Sequence, residues 1–386
     1  MRRVVPLAPA ALLAAAVALT GCSTGTHAPP GGGAGASGTT AYPRLSPRCP
    51  PPAARPPAVT VAQLNRVVAG LDLPLWQAGD IGASARLPDG RLVWVFGDTV
   101  RAPDVQPRIV ANSMLVTAGL CTSQVEVAGR GPVIPDRSDG VVHWPMSVAV
   151  VPRGGEASLV VISARIRRGV GGLDFTYLGS TATVFRLPDG GAPTPVRQLD
   201  ITPDSAETTQ VNWGSAMTVH DGWIYVYGTR LPSRTAFGRA LYVARAPAAD
   251  ARDRGTWRFW DGRAWVADAD RAAVVLPAEG GVSQTLSVDV LDSHFVVVSK
   301  RDGDLGSTVY AWHAPGPTGP WQAIRGVRAD FQDPDGNLAY APLAHPGIRL
   351  TDGRLLISIS RNTSDFARLL AQPRLGRPVF AEIDRP

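Results

Sequence analysis

The sequence predicts an all-β fold, a five-bladed β-propeller of four-stranded antiparallel blades, on three observations. A turn signal followed by a short apolar strand recurs along the chain, helical periodicity is nearly absent, and 41 Gly with 35 Pro supply the turns such a chain needs. The repeat is clearest at Pro88-Asp89-Gly90 before Leu92-Val93-Trp94-Val95-Phe96, at His220-Asp221-Gly222 before Trp223-Ile224-Tyr225-Val226-Tyr227, and at Thr351-Asp352-Gly353 before Leu355-Leu356-Ile357-Ser358-Ile359. Weaker copies are Arg153-Gly154-Gly155 before Leu159-Val160-Val161-Ile162 and Leu291-Asp292-Ser293 before Phe295-Val296-Val297-Val298. The copies lie roughly 60 to 70 residues apart. Asp-Gly between two apolar runs marks a hairpin, because a tight turn of the right twist needs left-handed backbone at its centre.

Each copy carries an apolar segment before its turn, at residues 81–87, 146–151, 215–219, 286–290 and 347–350, and these are the expected inner strands. Further strands follow at residues 182–185, 240–244, 308–312 and 379–382. Four strands per unit, repeated radially, make a propeller. A two-sheet sandwich, the competing all-β arrangement, has turns every 8 to 12 residues or so and gives no reason for so long a repeat.

The start of the chain reads as a secretory signal over residues 1–21. Met1-Arg2-Arg3 is a charged region, an apolar run reaches Leu19, and Leu19-Thr20-Gly21-Cys22 has the form of a lipobox, in which Cys22 becomes the lipidated first residue. An ordinary signal cut nearby, with Cys22 incidental, is the alternative. Residues 22–60 are rich in Gly, Ser, Thr, Ala and Pro and read as a tether, since they cannot bury enough surface to offset the entropy of ordering. Residues 61–386 are then the propeller. No later stretch approaches about 18 apolar residues, so the membrane is reached through the lipid alone. The expected location is the extracytoplasmic face of the cell membrane, and the expected state a monomer.

With Cys22 lipidated, Cys49 and Cys121 remain, and an oxidising compartment permits them to pair. Two unpaired thiols are the other arrangement. The net charge of +6 comes mostly from scattered Arg, without the basic stripe that nucleic acid requires. A scattered positive surface suits an anionic envelope.

In a propeller the starts of the inner strands meet near the axis at one face. Counting back about nine positions from each turn collects Asp80, His143-Trp144-Pro145, Asn212-Trp213-Gly214-Ser215, Ser283-Gln284 and His345-Pro346. Flat indoles beside hydrogen-bonding groups suit sugars, whose C–H faces pack on aromatic rings. His143, Trp144, Asn212, Trp213, Ser215, Gln284 and His345 are therefore expected to bind substrate, with Trp144 and Trp213 alternatively serving as wedges between blades. Asp80 is the sharpest candidate, because Gly79 and Gly82 let backbone approach a ligand closely. Asp98, in Phe96-Gly97-Asp98-Thr99, reads as a structural loop residue.

Taken together, Gly79-Asp80-Ile81-Gly82 with Phe96-Gly97-Asp98-Thr99, Val211-Asn212-Trp213-Gly214-Ser215, Trp257-Arg258-Phe259-Trp260-Asp261-Gly262, and His345-Pro346 with Ser360-Arg361-Asn362 resemble a bacterial five-bladed propeller family. That family was long catalogued as a domain of unknown function and includes endo-D-arabinanases acting on mycobacterial cell-wall arabinan. The resemblance covers residues 71–380, and Gly319-Pro320-Trp321 is similar to motifs of furanosidase and sialidase propellers. It implies a glycoside hydrolase acting on polysaccharide, with Asp80 as nucleophile or base. Glycoside hydrolysis normally needs a second carboxyl. Glu207 and Asp139 are the expected partners, since each precedes an inner strand by a few residues.

His345 is a candidate proton donor or ligand to an axial cation. No zinc or EF-hand spacing, Gly-rich phosphate loop or Gly-x-Ser-x-Gly elbow occurs in the sequence, so no cofactor is expected. Two other functions fit the same residues: a glycan-binding lipoprotein with a degenerate site, and a scaffold presenting loops to another envelope protein.

Overall fold

The computed structural model describes residues 42–170 and 174–386. The expected signal peptide, Cys22 and the first part of the tether lie outside the described residues. Among the described residues the strands form five antiparallel sheets. Sheet one runs inward to outward through Ala78–Arg86, Leu92–Val100, Ser113–Ala118, Cys121–Glu126 and Arg44–Ser46, with Ile109–Val110 paired beside it. Sheet two is Val142–Arg153, Glu156–Arg168, Phe175–Arg186 and Thr194–Asp200. Sheet three is Asn212–His220, Trp223–Arg230, Ala240–Pro247, Arg258–Trp260 and Trp265–Val266. Sheet four is Ser287–Leu291, His294–Lys300, Thr308–Ala314 and Gln322–Arg328, and sheet five is Asn337–Ala344, Leu355–Thr363 and Val379–Ile383. Each inner strand touches the next around the ring, and the fifth touches the first, which makes a five-bladed β-propeller. Two blades have four strands; the others depart from the expected four in both directions.

The turn chemistry explains the hairpins. Asp221 and Gly222 have φ of 48° and 75°, and Asp292 and Ser293 have φ of 48° and 67°, the paired left-handed residues of a two-residue hairpin loop. Blade five departs from expectation. Its inner strand is Asn337–Ala344, and residues 347–350 belong to the long connection that follows. Pro342 interrupts the apolar pattern there, beside a bulge at which Ala341 has φ of 44°.

Between successive blades the apolar faces form separate layers. Val93, Leu159 and Phe185 fill the seam between blades one and two; Ile162, Trp213 and Phe259 fill the next. Tyr227, Val297 and Trp312 pack between blades three and four, and Val298 with Ile357 between four and five. The seam between blades five and one is built differently. A helix, Val61–Gly70, packs Leu64 against Trp94, Leu356 and Phe380.

Residues 42–60, expected to belong to the tether, are instead tied to the propeller. Arg44–Ser46 pairs with Cys121–Glu126, Cys49 is disulfide-bonded to Cys121, and Val59 bridges Leu350. Thr60 starts the helix with a capping box: its Oγ1 accepts from the Gln63 N–H, and Gln63 Oε1 accepts from the Thr60 N–H. The far end is capped by Arg377, which is 5% exposed. Its guanidinium donates to the carbonyls of Val68, Ala69, Leu71 and Gln77 at 2.7 to 2.8 Å. Asn65 adds a pair of bonds to the Phe380 backbone.

Arg377→Ala leaves these carbonyls without a donor inside the seam and is expected to cost about 3 kcal/mol or more in chemical denaturation. Arg377→Lys keeps the charge but not the planar fork, and is expected to restore only part of that stability.

Candidate active site

Asp80 owes its position to a double bulge at the start of the first inner strand. Gly79 pairs with Thr99, Ile81 with Phe96 and Ala83 with Val95, so Asp80 stands opposite Gly97-Asp98, and Gly82 is an inserted residue. Ile81 has φ of 68° and Gly82 φ of 71°. A β-branched residue in that region is strained. What holds it is blade five: the Ile81 N–H donates to Ser360 Oγ at 2.9 Å. A Cβ at Gly97 would fall 2.4 Å from Asp80 Oδ1, so any larger residue there displaces the carboxyl.

The Tyr340 hydroxyl, also from blade five, donates to Asp80 Oδ2 at 2.9 Å, and Asn362 Nδ2 donates to the Tyr340 oxygen at 3.4 Å. Asp80 Oδ1 is buried without a hydrogen-bond partner. Burial, and then the negative charge of Asp98, push the Asp80 carboxyl up to about 7, against the pull of the Tyr340 hydrogen bond.

Asp98 is held more fully. Trp144 Nε1 donates to its Oδ1 at 2.8 Å, Arg168 Nη1 donates to its Oδ2 at 3.0 Å, and Arg168 Nη2 completes a fork on Oδ1. Burial raises this carboxyl above its ordinary range, while Arg168 and Trp144 favour the charged form. The Arg168 guanidinium lies 5.5 Å from the Trp144 ring, and Phe175 meets that ring edge-on at 4.9 Å. A third carboxyl, Asp136, is raised by burial within the field of Arg168 and Asp98. The rim continues on blades three and four, where Arg239 Nη2 donates to Gln284 Oε1 at 3.1 Å and the Gln284 N–H to Asp304 Oδ2 at 3.4 Å. Lys300, lowered to about 8 by burial, donates at 2.6 Å to the carbonyl of Ala339, the residue before Tyr340.

The family described as "Domain of unknown function (DUF5005)" matches residues 72–384. The chain belongs to this family. No curated protein matches the chain. Among solved structures, it is similar to a candidate hydrolase from Bacteroides ovatus ATCC 8483, with 17% identity, 88% of this chain and 93% of the other covered, and a TM-score of 0.63. It is also similar to a glycoside hydrolase family 43 arabinoxylan arabinofuranohydrolase from Bacillus subtilis, solved with cellotetraose. There the identity is 12%, the coverage 81% of this chain and 66% of the other, and the TM-score 0.51. At such identities the likeness is one of fold: this DUF5005 chain has a glycoside hydrolase-like propeller.

The sequence-predicted site residues of the DUF5005 domain divide into two groups. Asp80, Trp144 and Gln284 lie on the rim just described. The other ring residues are turned into the body. His143 donates from Nδ1 to the Pro135 carbonyl at 2.9 Å, and burial lowers its pKa. Ser215 Oγ donates to the Asn212 carbonyl at 2.8 Å, and both residues are buried. Trp213 is a buried wedge, edge-on to Phe259 at 5.0 Å. His345 is the clearest correction. It follows the inner strand of blade five instead of starting it, with Nδ1 2.7 Å from Ser84 Oγ and Nε2 2.7 Å from Ser358 Oγ. Burial lowers it to about 3, so near neutral pH it is an uncharged imidazole with both nitrogens engaged by serine hydroxyls. Among the described residues no group of three or more His, Cys, Asp and Glu is placed to hold a metal ion.

The structure does not bring Glu207 or Asp139 to Asp80. Glu207 Oε1 accepts from the N–H and hydroxyl of Thr209, each at 3.0 Å, and those bonds hold it below its usual range. Asp139 is clamped by Arg137, which also pairs with Asp204. Both close their own loops. The carboxyl that does stand near Asp80 is Asp98, which the sequence reading assigned to a loop. A signal for it was present: Asp80 and Asp98 each lie nine positions from Asp89 in the turn, and equal offsets in an antiparallel hairpin face one another.

Folded Asp80 keeps its proton to about pH 7, whereas the unfolded chain releases it near 3.8. Unfolding is therefore favoured progressively as pH rises between those values, by at most about 4 kcal/mol. Asp80→Asn carries no charge, so it is expected to be more stable than the native protein at pH 8 and to lose that advantage at pH 4, as read by thermal unfolding at both.

Proposed function

We propose that the domain is a glycoside hydrolase that cleaves a cell-wall or extracellular polysaccharide, arabinan foremost, with Asp80 and Asp98 as its carboxyl pair. The observation that carries this is the juxtaposition of two partly buried carboxyls across the bulge, Asp80 held by the Tyr340 hydroxyl and Asp98 forked by Arg168. Asp80, protonated near neutral pH, donates to the leaving glycosidic oxygen. Asp98, whose charge Arg168 and Trp144 favour, attacks the anomeric carbon or activates water. Trp144 and Phe175 offer apolar faces to the C–H side of a sugar ring. Arabinan is favoured by the likeness of the quoted motifs to those of endo-D-arabinanases. A lipid on Cys22 would hold the monomeric domain at the outer face of the membrane, within reach of such a polymer.

A glycan-binding role without turnover is the second reading. It is favoured by the fork that Arg168 makes on Asp98, which occupies both oxygens of the required second carboxylate.

Release of reducing ends from arabinan separates the two. Asp98→Asn is expected to abolish release, and Asp80→Asn to lower it about 10³-fold while sparing an aryl furanoside whose leaving group needs no proton. The opposite pattern exchanges the two roles. Native protein that binds arabinan without releasing ends supports the second reading. For the anchor, Cys22→Ser is expected to move the protein from the membrane fraction to the medium, and retention in membranes refutes lipidation as the tie.

A further inference from the structure

Lys300 ends the second strand of blade four and is 0% exposed. A side chain so enclosed cannot touch a polymer at the rim. Its ammonium donates to the Ala339 carbonyl at 2.6 Å, reaches the Asp304 carbonyl at 3.5 Å and lies 5.7 Å from the centre of the Phe331 ring. Burial lowers it to about 8, while the negative charges of Asp304 and Asp330 favour the ammonium, so near neutral pH it is charged. Burying an ammonium is costly, and an aliphatic side chain of similar volume would fill the same space without that cost. The charge therefore has a task at Ala339.

Ala339 is the point from which the fifth inner strand is aimed. Its N–H donates to the Phe331 carbonyl at 2.9 Å, so that with Lys300 on its carbonyl both of its backbone groups are tied outside the ladder of its own sheet. Tyr340 comes next, and just beyond it the register shifts: Ala341 has φ of 44°, and Pro342 has no N–H to offer. Downstream of Tyr340 the regular ladder gives way, and the fixed point lies upstream. The Tyr340 hydroxyl then meets Asp80 Oδ2 at 2.9 Å, with Asn362 Nδ2 at 3.4 Å as its other partner.

We infer that Lys300 is a positioning residue: from blade four it clamps Ala339, and through Ala339 it sets the Tyr340 hydroxyl of blade five on Asp80 of blade one. Action through Tyr340 is favoured over a direct field, because the charges felt at Asp80 are those of Asp98 and Arg168, whereas Lys300 responds to Asp304 and Asp330. Three consecutive blades thus share the geometry of one carboxyl. Its bearing on catalysis rests on the reading of Asp80 as the acid of the pair; the chain of contacts does not.

The test reads the proton on Asp80 and not turnover. In protein labelled with carbon-13 at its aspartate carboxyls, the Asp80 resonance is identified by its absence in Asp80→Asn. Its titration midpoint is then compared in the native protein, Lys300→Met, Tyr340→Phe and the double variant. The Tyr340 hydrogen bond favours the charged carboxyl, so its loss raises the midpoint. Tyr340→Phe is expected to raise it by about one pH unit and Lys300→Met by at least about half as much, with the double variant matching Tyr340→Phe. No rise in folded Lys300→Met overturns the proposal. So does a rise that Lys300→Met produces equally in the Tyr340→Phe background, which marks a direct effect of the charge. Unfolding curves establish that the variants fold; if Lys300→Met does not, Lys300→Gln, with its donor on a shorter stem, takes its place under the same two readings. Native protein that releases no reducing ends from arabinan but shows the expected midpoints refutes only the catalytic reading and leaves the clamp in place.

Discussion

The seam between the last blade and the first is the constraint on which the rest depends. A propeller is a ring of sheets made from an open chain, and the ring exists only if its ends are joined. In many such rings a strand from one terminus would complete the other's sheet. Here the fifth sheet has three strands of its own and closure is done by side chains, a helix and the Val59–Leu350 bridge. Arg377 stitches the last blade to the helix end and to Gln77, just ahead of the first inner strand, while Asn65 holds Phe380. The bonds that shape the candidate site cross the same seam: Tyr340 to Asp80, Ser360 to Ile81, and Ser84 to His345. Assembly of the site is therefore a consequence of ring closure.

This arrangement explains why the blades were legible in the sequence and half of the rim was not. Turn residues and apolar alternation are local, so Asp221-Gly222 and Asp292-Ser293 announce their hairpins whatever lies around them. The rim depends on bulges, which insert residues at the level where the inner strands approach the axis. Register shifts occur beside Asp80, between Pro145 and Ser147, between Trp213 and Ala216, and between Tyr340 and Leu343. Each insertion changes which side chain faces the axis. Counting from a turn finds the rim at Asp80 and Trp144, and in blade three it lands on residues that the bulge between Trp213 and Ala216 leaves buried. It fails in blade five, where the connection over residues 345–354 displaces the count from Tyr340 to His345.

The charged residues illustrate a second limit. Sequence reasoning favoured acids near inner strands, and Glu207 and Asp139 satisfied that criterion. Both have partners within a few residues, Thr209 and Arg137, so local bonds claim them before the ring can. Asp98 has no such neighbour in sequence. Its partners, Trp144 and Arg168, come from the next blade, 46 and 70 residues away. A carboxylate without a local partner in a bulge-forming Gly-Asp pair is free to serve a distant one, and that property separates Asp98 from the acids that were preferred.

Stability and chemistry meet at the same place. A buried oxygen on Asp80 without a partner, a second carboxyl close enough to raise it, and a β-branched residue at positive φ are each unfavourable. None would persist in a flexible loop, because the strand would relax and hydrate the carboxyl. They persist because Ser360 and Tyr340 bind the bulge from a blade that Arg377 and Asn65 hold in place. The apolar layers between blades two and three and between three and four make no comparable demand on the site, so a core substitution there should weaken the fold while leaving the Asp80 environment intact. A substitution at the closing seam changes both, which makes the state of Asp80 a reporter of whether the ring is shut.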